Sequence, residues 1–159
     1  MTPILDAITS SLTTMGLHFT VHPAQQTVEL GIELDSGRRF QVALCSNNEA
    51  HDVTIYTAVA PVSAHARSRV ARQLSEDLNN RFKGITFSFV EGLLIVGHLI
   101  DLEWVSAPEA LIRKGLLRVV CVLEEVEALF PDRQPARRTR RNPTVVREVE
   151  RILTDLSFP

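Results

Sequence analysis

The chain has 159 residues, of which 45% are hydrophobic and 23% charged, and its formal net charge is −2 at pH 7. This length suits one domain with a short extension, and so small a net charge excludes a strong general attraction to nucleic acid or acidic lipid. No apolar run approaches the roughly 20 residues that span a bilayer, and the N-terminus lacks a secretory signal pattern, so we expect a cytoplasmic protein without membrane contact.

The first predicted element is an amphipathic helix. Thr2 and Pro3 suit a helix start, because threonine can cap free backbone N–H groups and proline is tolerated at the first helical position. Apolar residues then recur at helical spacing on one face, at Ile4, Ile8, Leu12 and Met15. Since the other face is polar, this helix must pack on a core.

From residue 18 to residue 60 the apolar period changes to two, which is typical of strands with one face in water. The alternation predicts a short strand at 19–21 and longer strands at 28–34, 40–44 and 53–59. Turn sequences at 23–26, 35–37 and 46–49 separate them. Successive strands with short turns indicate an antiparallel meander.

The second half reads as helix, strand pair and long helix. A helix from Ser63 ends in the sequence Leu78-Asn79-Asn80-Arg81-Phe82-Lys83-Gly84, and a short strand at 85–89 and a longer one from Leu93 to Trp104 follow. Residues 106–109 match a capping box, with proline just inside the helix. The last long helix carries one apolar seam, at Ile112, Leu116, Val119, Leu123, Val126 and Phe130.

The order of these elements, the Leu78-Asn79-Asn80-Arg81-Phe82 helix end and the strand pair after it resemble the YbjN-like family, which shares the fold of type III secretion chaperones. The resemblance covers about residues 3 to 130. It implies bacterial regulation, or a homodimeric chaperone that binds extended segments of partner proteins. No catalytic residues come with this family.

We therefore expect an α+β fold, in which an antiparallel sheet has helices packed on one face. The expected order is α-β-β-β-β-α-β-β-α, followed by a short C-terminal helix. Residues 1–131 would form the YbjN-like domain, and residues 132–159 an Arg-rich linker with a short amphipathic helix.

The Arg-rich segment concentrates positive charge on an otherwise acidic chain. Its functional interpretation is a contact with phosphate or with an acidic protein, which makes nucleic-acid binding the alternative function. The other interpretation is a solvated linker. No aromatic residue interleaves with these arginines, so stacking on single-stranded bases is not indicated. The residues concerned are Arg137, Arg138, Arg140 and Arg141.

Surplus apolar residues give the strongest indication of function. The strand after Gly92 is apolar on both faces, and Leu117 and Cys121 form a second stripe on the back of the long helix. Such a surplus marks an interface, unless the first helix and the helix at 145–156 cover it. We predict a homodimer that binds a further, unidentified protein through Leu117, Cys121, Leu94, Val96 and Ile100.

Catalytic and metal-binding patterns are weak. The five histidines lack ligand spacing, and His98 lies within an apolar strand, where a core or interface histidine is expected. Asp101 and Glu103 alternate like a carboxylate pair, but a strand end in water is the preferred interpretation. Cys45 and Cys121 are expected to be buried thiols. We predict a protein-binding module rather than an enzyme, without cofactor or metal; a small-molecule enzyme is the third hypothesis.

Overall fold

The computed structural model describes residues 3–61, 69–90 and 92–128. It contains three α-helices, α1 (Pro3–Thr14), α2 (Arg69–Arg81) and α3 (Pro108–Ala128), and one 3-10 turn at Pro23–Gln25. The six strands are β1 (Phe19–His22), β2 (Thr27–Glu33), β3 (Arg39–Asn47), β4 (Asp52–Pro61), β5 (Thr86–Val90) and β6 (Leu93–Asp101). This order confirms the predicted fold class. The predicted helix start at Ser63 and the predicted last helix lie outside the described residues.

All six strands form one sheet in the order β1-β2-β3-β4-β6-β5, and every neighbouring pair is antiparallel. The first four strands are the predicted meander. The chain then passes through α2 before the β5–β6 hairpin, and β6 rather than β5 pairs with β4. As a result β1 and β5 are the two edge strands.

The three helices pack on one face of this sheet. α1 contacts β2 and β3, α3 contacts β4 and β6, α2 contacts β5, and α1 also packs on α3. The predicted seams of the first and last helices are confirmed at the buried residues Ile4, Ile8, Leu12, Ile112, Leu116, Val119, Leu123 and Val126. Met15 is half-buried, and Phe130 lies outside the described residues.

The last strand is shorter than predicted. β6 ends at Asp101, and the backbone N–H of Leu102 then donates a 2.8 Å hydrogen bond to the carbonyl of His51 in the β3–β4 turn. Trp104 has a φ of +63° and is 92% exposed. The chain therefore leaves the sheet in a tight turn, and the predicted strand residues after Asp101 are a loop. None of the helices in the described part is long and apolar enough to cross a membrane.

Candidate partner-binding surfaces

The outer side of α3 carries the first exposed apolar surface. Leu116 and Val119 point into the core, so Leu117 points away from the sheet and is 54% exposed. Cys121 lies one turn further on and is also exposed. The prediction that Cys121 is a buried thiol is therefore wrong, because its position on the helix turns it to solvent; Cys45 is half-buried.

The predicted contact residues of β6 lie elsewhere. Leu94, Val96 and Ile100 are at most 4% exposed and belong to the core between the sheet and the helices. The expectation that they lie on an exposed side of the strand is wrong, because their side chains alternate onto the face that α3 covers. The opposite face of β6 carries Leu93, Ile95, Gly97 and Leu99.

That opposite face holds a second apolar cluster, which we call the outer-face cluster. It is formed by strand residues alone, and no described helix contributes to it. Leu99, on the same face of β6, is 61% exposed. The members of the outer-face cluster are Ala43, Cys45, Tyr56, Val90, Leu93 and Ile95.

Tyr56 lies at the centre of the outer-face cluster. Its cross-strand neighbours are Ala43 on β3 and Gly97 on β6, and both are small enough to leave space for the phenol ring. Cys45 Sγ lies 3.7 Å from Tyr56 Oη and 3.1 Å from Thr27 Oγ1. The thiol thus joins polar groups of β2 and β4 across the face of β3.

The two apolar surfaces lie on opposite sides of the molecule. Leu117 points away from the sheet on the helix side, whereas Leu99 points away from the helices on the sheet side. The predicted single contact set, which joined the back of α3 to an exposed side of β6, is therefore divided into two surfaces with the core between them. One flat partner surface cannot cover both.

The carboxylate of Asp101, at the end of β6, contacts the backbone of Glu103 and not its side-chain carboxylate. Asp101 Oδ1 accepts a 2.8 Å hydrogen bond from the backbone N–H of Glu103, which stabilises the turn. The cross-strand neighbour of Asp101 is Asp52. Burial, and then the charge of Asp101, raise the pKa of Asp52 above its ordinary value. Among the described residues, His, Cys, Asp and Glu side chains form no group of three that could hold a metal ion.

The sequence around the helix end at 78–84 has a structural role. Asn79 Nδ2 donates to the carbonyl of Phe87 at 3.0 Å, and the backbone N–H of Phe87 donates to Asn79 Oδ1 at 2.7 Å. His98 Nδ1 lies 2.7 Å from the carbonyl oxygen of Gly84. The histidine predicted as a core or interface residue thus anchors the turn between α2 and β5.

The basic residues predicted as a contact segment, Arg137, Arg138, Arg140 and Arg141, lie outside the described residues. A role for them stays a prediction. The same holds for the division of the chain at residue 131.

Solved structures share this fold at low sequence identity. The ExsC–ExsE complex matches with a TM-score of 0.60 and 13% identity, over 82% of this chain and 96% of that chain. YbjN from E. coli, a candidate transcription regulator, matches with a TM-score of 0.56 and 15% identity, over 78% of this chain and 91% of that chain. The Yersinia pestis type III secretion chaperone SycH, in complex with a fragment of YscM2, matches with a TM-score of 0.46 and 14% identity, over 76% of this chain and 98% of that chain.

The first two of these likenesses confirm the predicted YbjN-like, chaperone-like fold. At identities of 13% and 15% they establish the fold and no more. No family model matches the chain, and no curated protein matches it.

Proposed function

We propose that this protein is a non-enzymatic protein-binding module of the chaperone-like or regulatory type, and that it works as a homodimer. Two structures of the same fold support this proposal: ExsC was solved in a complex with ExsE, and YbjN is a candidate transcription regulator. The first description concerns a protein in a complex with another protein, and the second a regulator.

The observation that carries the proposal is the exposure of large apolar side chains. Leu99, Trp104 and Leu117 are 61%, 92% and 54% exposed. Exposed apolar residues that adjoin a larger apolar patch are typical of interaction sites. Leu99 lies on the same face of β6 as Leu93 and Ile95 of the outer-face cluster, whose central members are buried, and Leu117 lies one helical turn from Cys121.

We assign a different role to each surface. Leu99 is more exposed than Leu117, at 61% against 54%, so we place the partner protein on the outer face of the sheet, with Leu99 as an anchor. An extended partner segment would lie across this face or add to a sheet edge. The stripe at Leu117 and Cys121 would join two copies of the chain.

Two substitutions separate the roles. Leu99→Asp places a charge in the partner surface and should abolish capture of the partner from an extract of the source cells, while the mass of the protein stays that of wild type. Leu117→Asp should instead reduce the mass measured by light scattering to that of one chain and leave capture intact. A charge in an interface core costs several kcal/mol, so both effects should be large.

Thr20→Asp is the matched control, because Thr20 is exposed on the same sheet face but on β1, the far edge strand. It should change neither capture nor mass. A wild-type protein that light scattering shows to be monomeric at tens of micromolar would contradict the proposed homodimer. Capture of the same proteins by wild type and by both leucine variants would overturn the assignment of the surfaces.

A further inference from the structure

The strand β5 lies at an edge of the sheet and carries neither a charged side chain nor a proline. Edge strands avoid pairing with other chains by means of charged side chains, proline or a bulge. Residues 85–90 read Ile-Thr-Phe-Ser-Phe-Val, without charge or proline. Short uncharged segments of β-branched and aromatic residues are those most prone to pair with copies of themselves.

The exposed backbone of β5 is occupied at its centre by a side chain. Phe87 lies opposite Val96 of β6, but its N–H and C=O both bond to the Asn79 amide. In an antiparallel strand the N–H and C=O of one residue point to the same side, so these groups of Phe87 point away from β6. Asn79 therefore lies where the backbone of a seventh strand would bond.

Only asparagine or glutamine can make this pair of bonds, because a side-chain amide has both a donor and an acceptor. Packing holds the amide of Asn79 in place. Leu78, its neighbour in α2, is 3% exposed. The rings of Phe82 and Phe87 lie with their centroids 5.6 Å apart. Since α2 is fixed against β5 on both sides of Asn79, the amide does not swing away freely.

We propose that the β5 edge is a strand-pairing site that Asn79 keeps closed, and that its occupant, once opened, is the β5 strand of a second copy of this chain. A strand without charge meets no repulsion from its own copy, which makes it self-complementary. This contact is separate from the self-association proposed for α3. It is therefore tested in the Leu117→Asp background, where the α3 contact is disrupted.

The test compares Asn79→Ala with Asn80→Ala, since Asn80 is the exposed neighbour on the same helix. Light scattering over a range of concentrations should show association of Asn79→Ala, with a gain of the intermolecular β band in infrared spectra. Asn80→Ala should behave as its parent. Addition of Ser88→Lys to Asn79→Ala should reverse the association, because a lysine on an edge strand opposes pairing. A soluble, folded Asn79→Ala protein with the parental mass at every concentration would overturn the proposal.

A second measurement does not depend on any variant. Phe89 lies two residues after Phe87 and presents its N–H to the same side of β5. In hydrogen exchange of the wild-type protein, the amide of Phe87 should exchange at least about tenfold more slowly than that of Phe89, as expected for one additional hydrogen bond. Equal exchange rates would show that Asn79 does not close the edge, even if Asn79→Ala fails to fold.

Discussion

Gly115 of α3 lies directly against Ile100 of β6. A Cβ atom at Gly115 would overlap Ile100 Cδ1, and it would lie 3.2 Å from Ile100 Cγ1 and 3.3 Å from His98 Cδ2. This close approach lets α3 lie over β6 and bury Ile100 to 4% exposure. Gly115 thus leaves the space that the end of the Ile100 side chain occupies.

We expect Gly115→Ala to destabilise the protein by about 1 kcal/mol, because overpacking of a filled core outweighs the helix propensity of alanine. Ile100→Val removes the overlapping methyl group. In the Ile100→Val background, Gly115→Ala should therefore be neutral or stabilising. Urea denaturation of the four proteins of this cycle measures the coupling. Equal destabilisation in both backgrounds would refute the contact as the cause.

Arg38 joins three elements near the β2–β3 turn. Its Nη2 donates to the carbonyl of Val59 at 3.1 Å, its Nε lies 3.6 Å from Glu127 Oε1, and its guanidinium lies 5.1 Å from the ring centroid of Phe40. Because the Arg38 side chain is only 22% exposed, we expect Arg38→Ala to lower the free energy of unfolding by about 1–2 kcal/mol.

The neighbouring Arg39 provides the control for this prediction. Its ion pair with Glu33 lies in solvent, with 81% of the arginine side chain exposed. Exposed pairs contribute little, so Arg39→Ala should change the stability by less than about 0.5 kcal/mol. Chemical denaturation would measure the free energy of unfolding of both variants. Similar losses of stability would show that the contacts of Arg38 contribute no more than those of an exposed arginine.

Trp104 combines a left-handed backbone with almost complete exposure. A bulky residue in this conformation costs about 1–2 kcal/mol, and glycine does not have that cost. Trp104→Gly and Trp104→Ala remove the same ring, but only alanine keeps the backbone strain. We expect the glycine variant to be the more stable of the two by about 1 kcal/mol in thermal or urea denaturation. A more stable alanine variant would contradict a strained turn.

The elements and the helix seams could be predicted from the sequence because they depend on local spacing. Ile112, Leu116 and Val119 recur on one side of a helix, and such an apolar stripe is typical of a helix that packs on a core. Spacing could not decide which face of β6 the helices cover, since Leu94 and Ile95 belong to faces of equal apolarity. The helices cover the face that includes Ile100, which lies against Gly115 of α3, and that contact joins residues from two elements.

The candidate surfaces were predicted only in part for the same reason. Leu117 was identified from its helical position alone, and the structure places it at the surface. The outer-face cluster gathers Ala43, Tyr56 and Ile95 from three strands, so it depends on the register. The role of Asn79 likewise depends on β5 being an edge strand, which follows from the pairing of β6 with β4.

The stability of the protein should depend on pH through Asp52. Burial and then the charge of Asp101 raise the pKa of Asp52 in the folded state, so the folded protein holds this proton at pH values where the unfolded chain has released it. Between the ordinary pKa of aspartate and the raised one, the contribution of Asp52 to stability falls as the pH rises. Above the raised pKa the cost of the charged form is fully present.

Asp52→Asn removes this charge at every pH and keeps the shape of the side chain. We therefore expect the variant to be more stable than wild type near pH 7, with a difference that shrinks as the pH falls through the raised pKa and is lost below the ordinary value. Urea midpoints of both proteins between pH 3 and pH 7 measure this difference. A difference that grows towards low pH would mean that the charged carboxylate stabilises the fold, which is the opposite of the predicted sign.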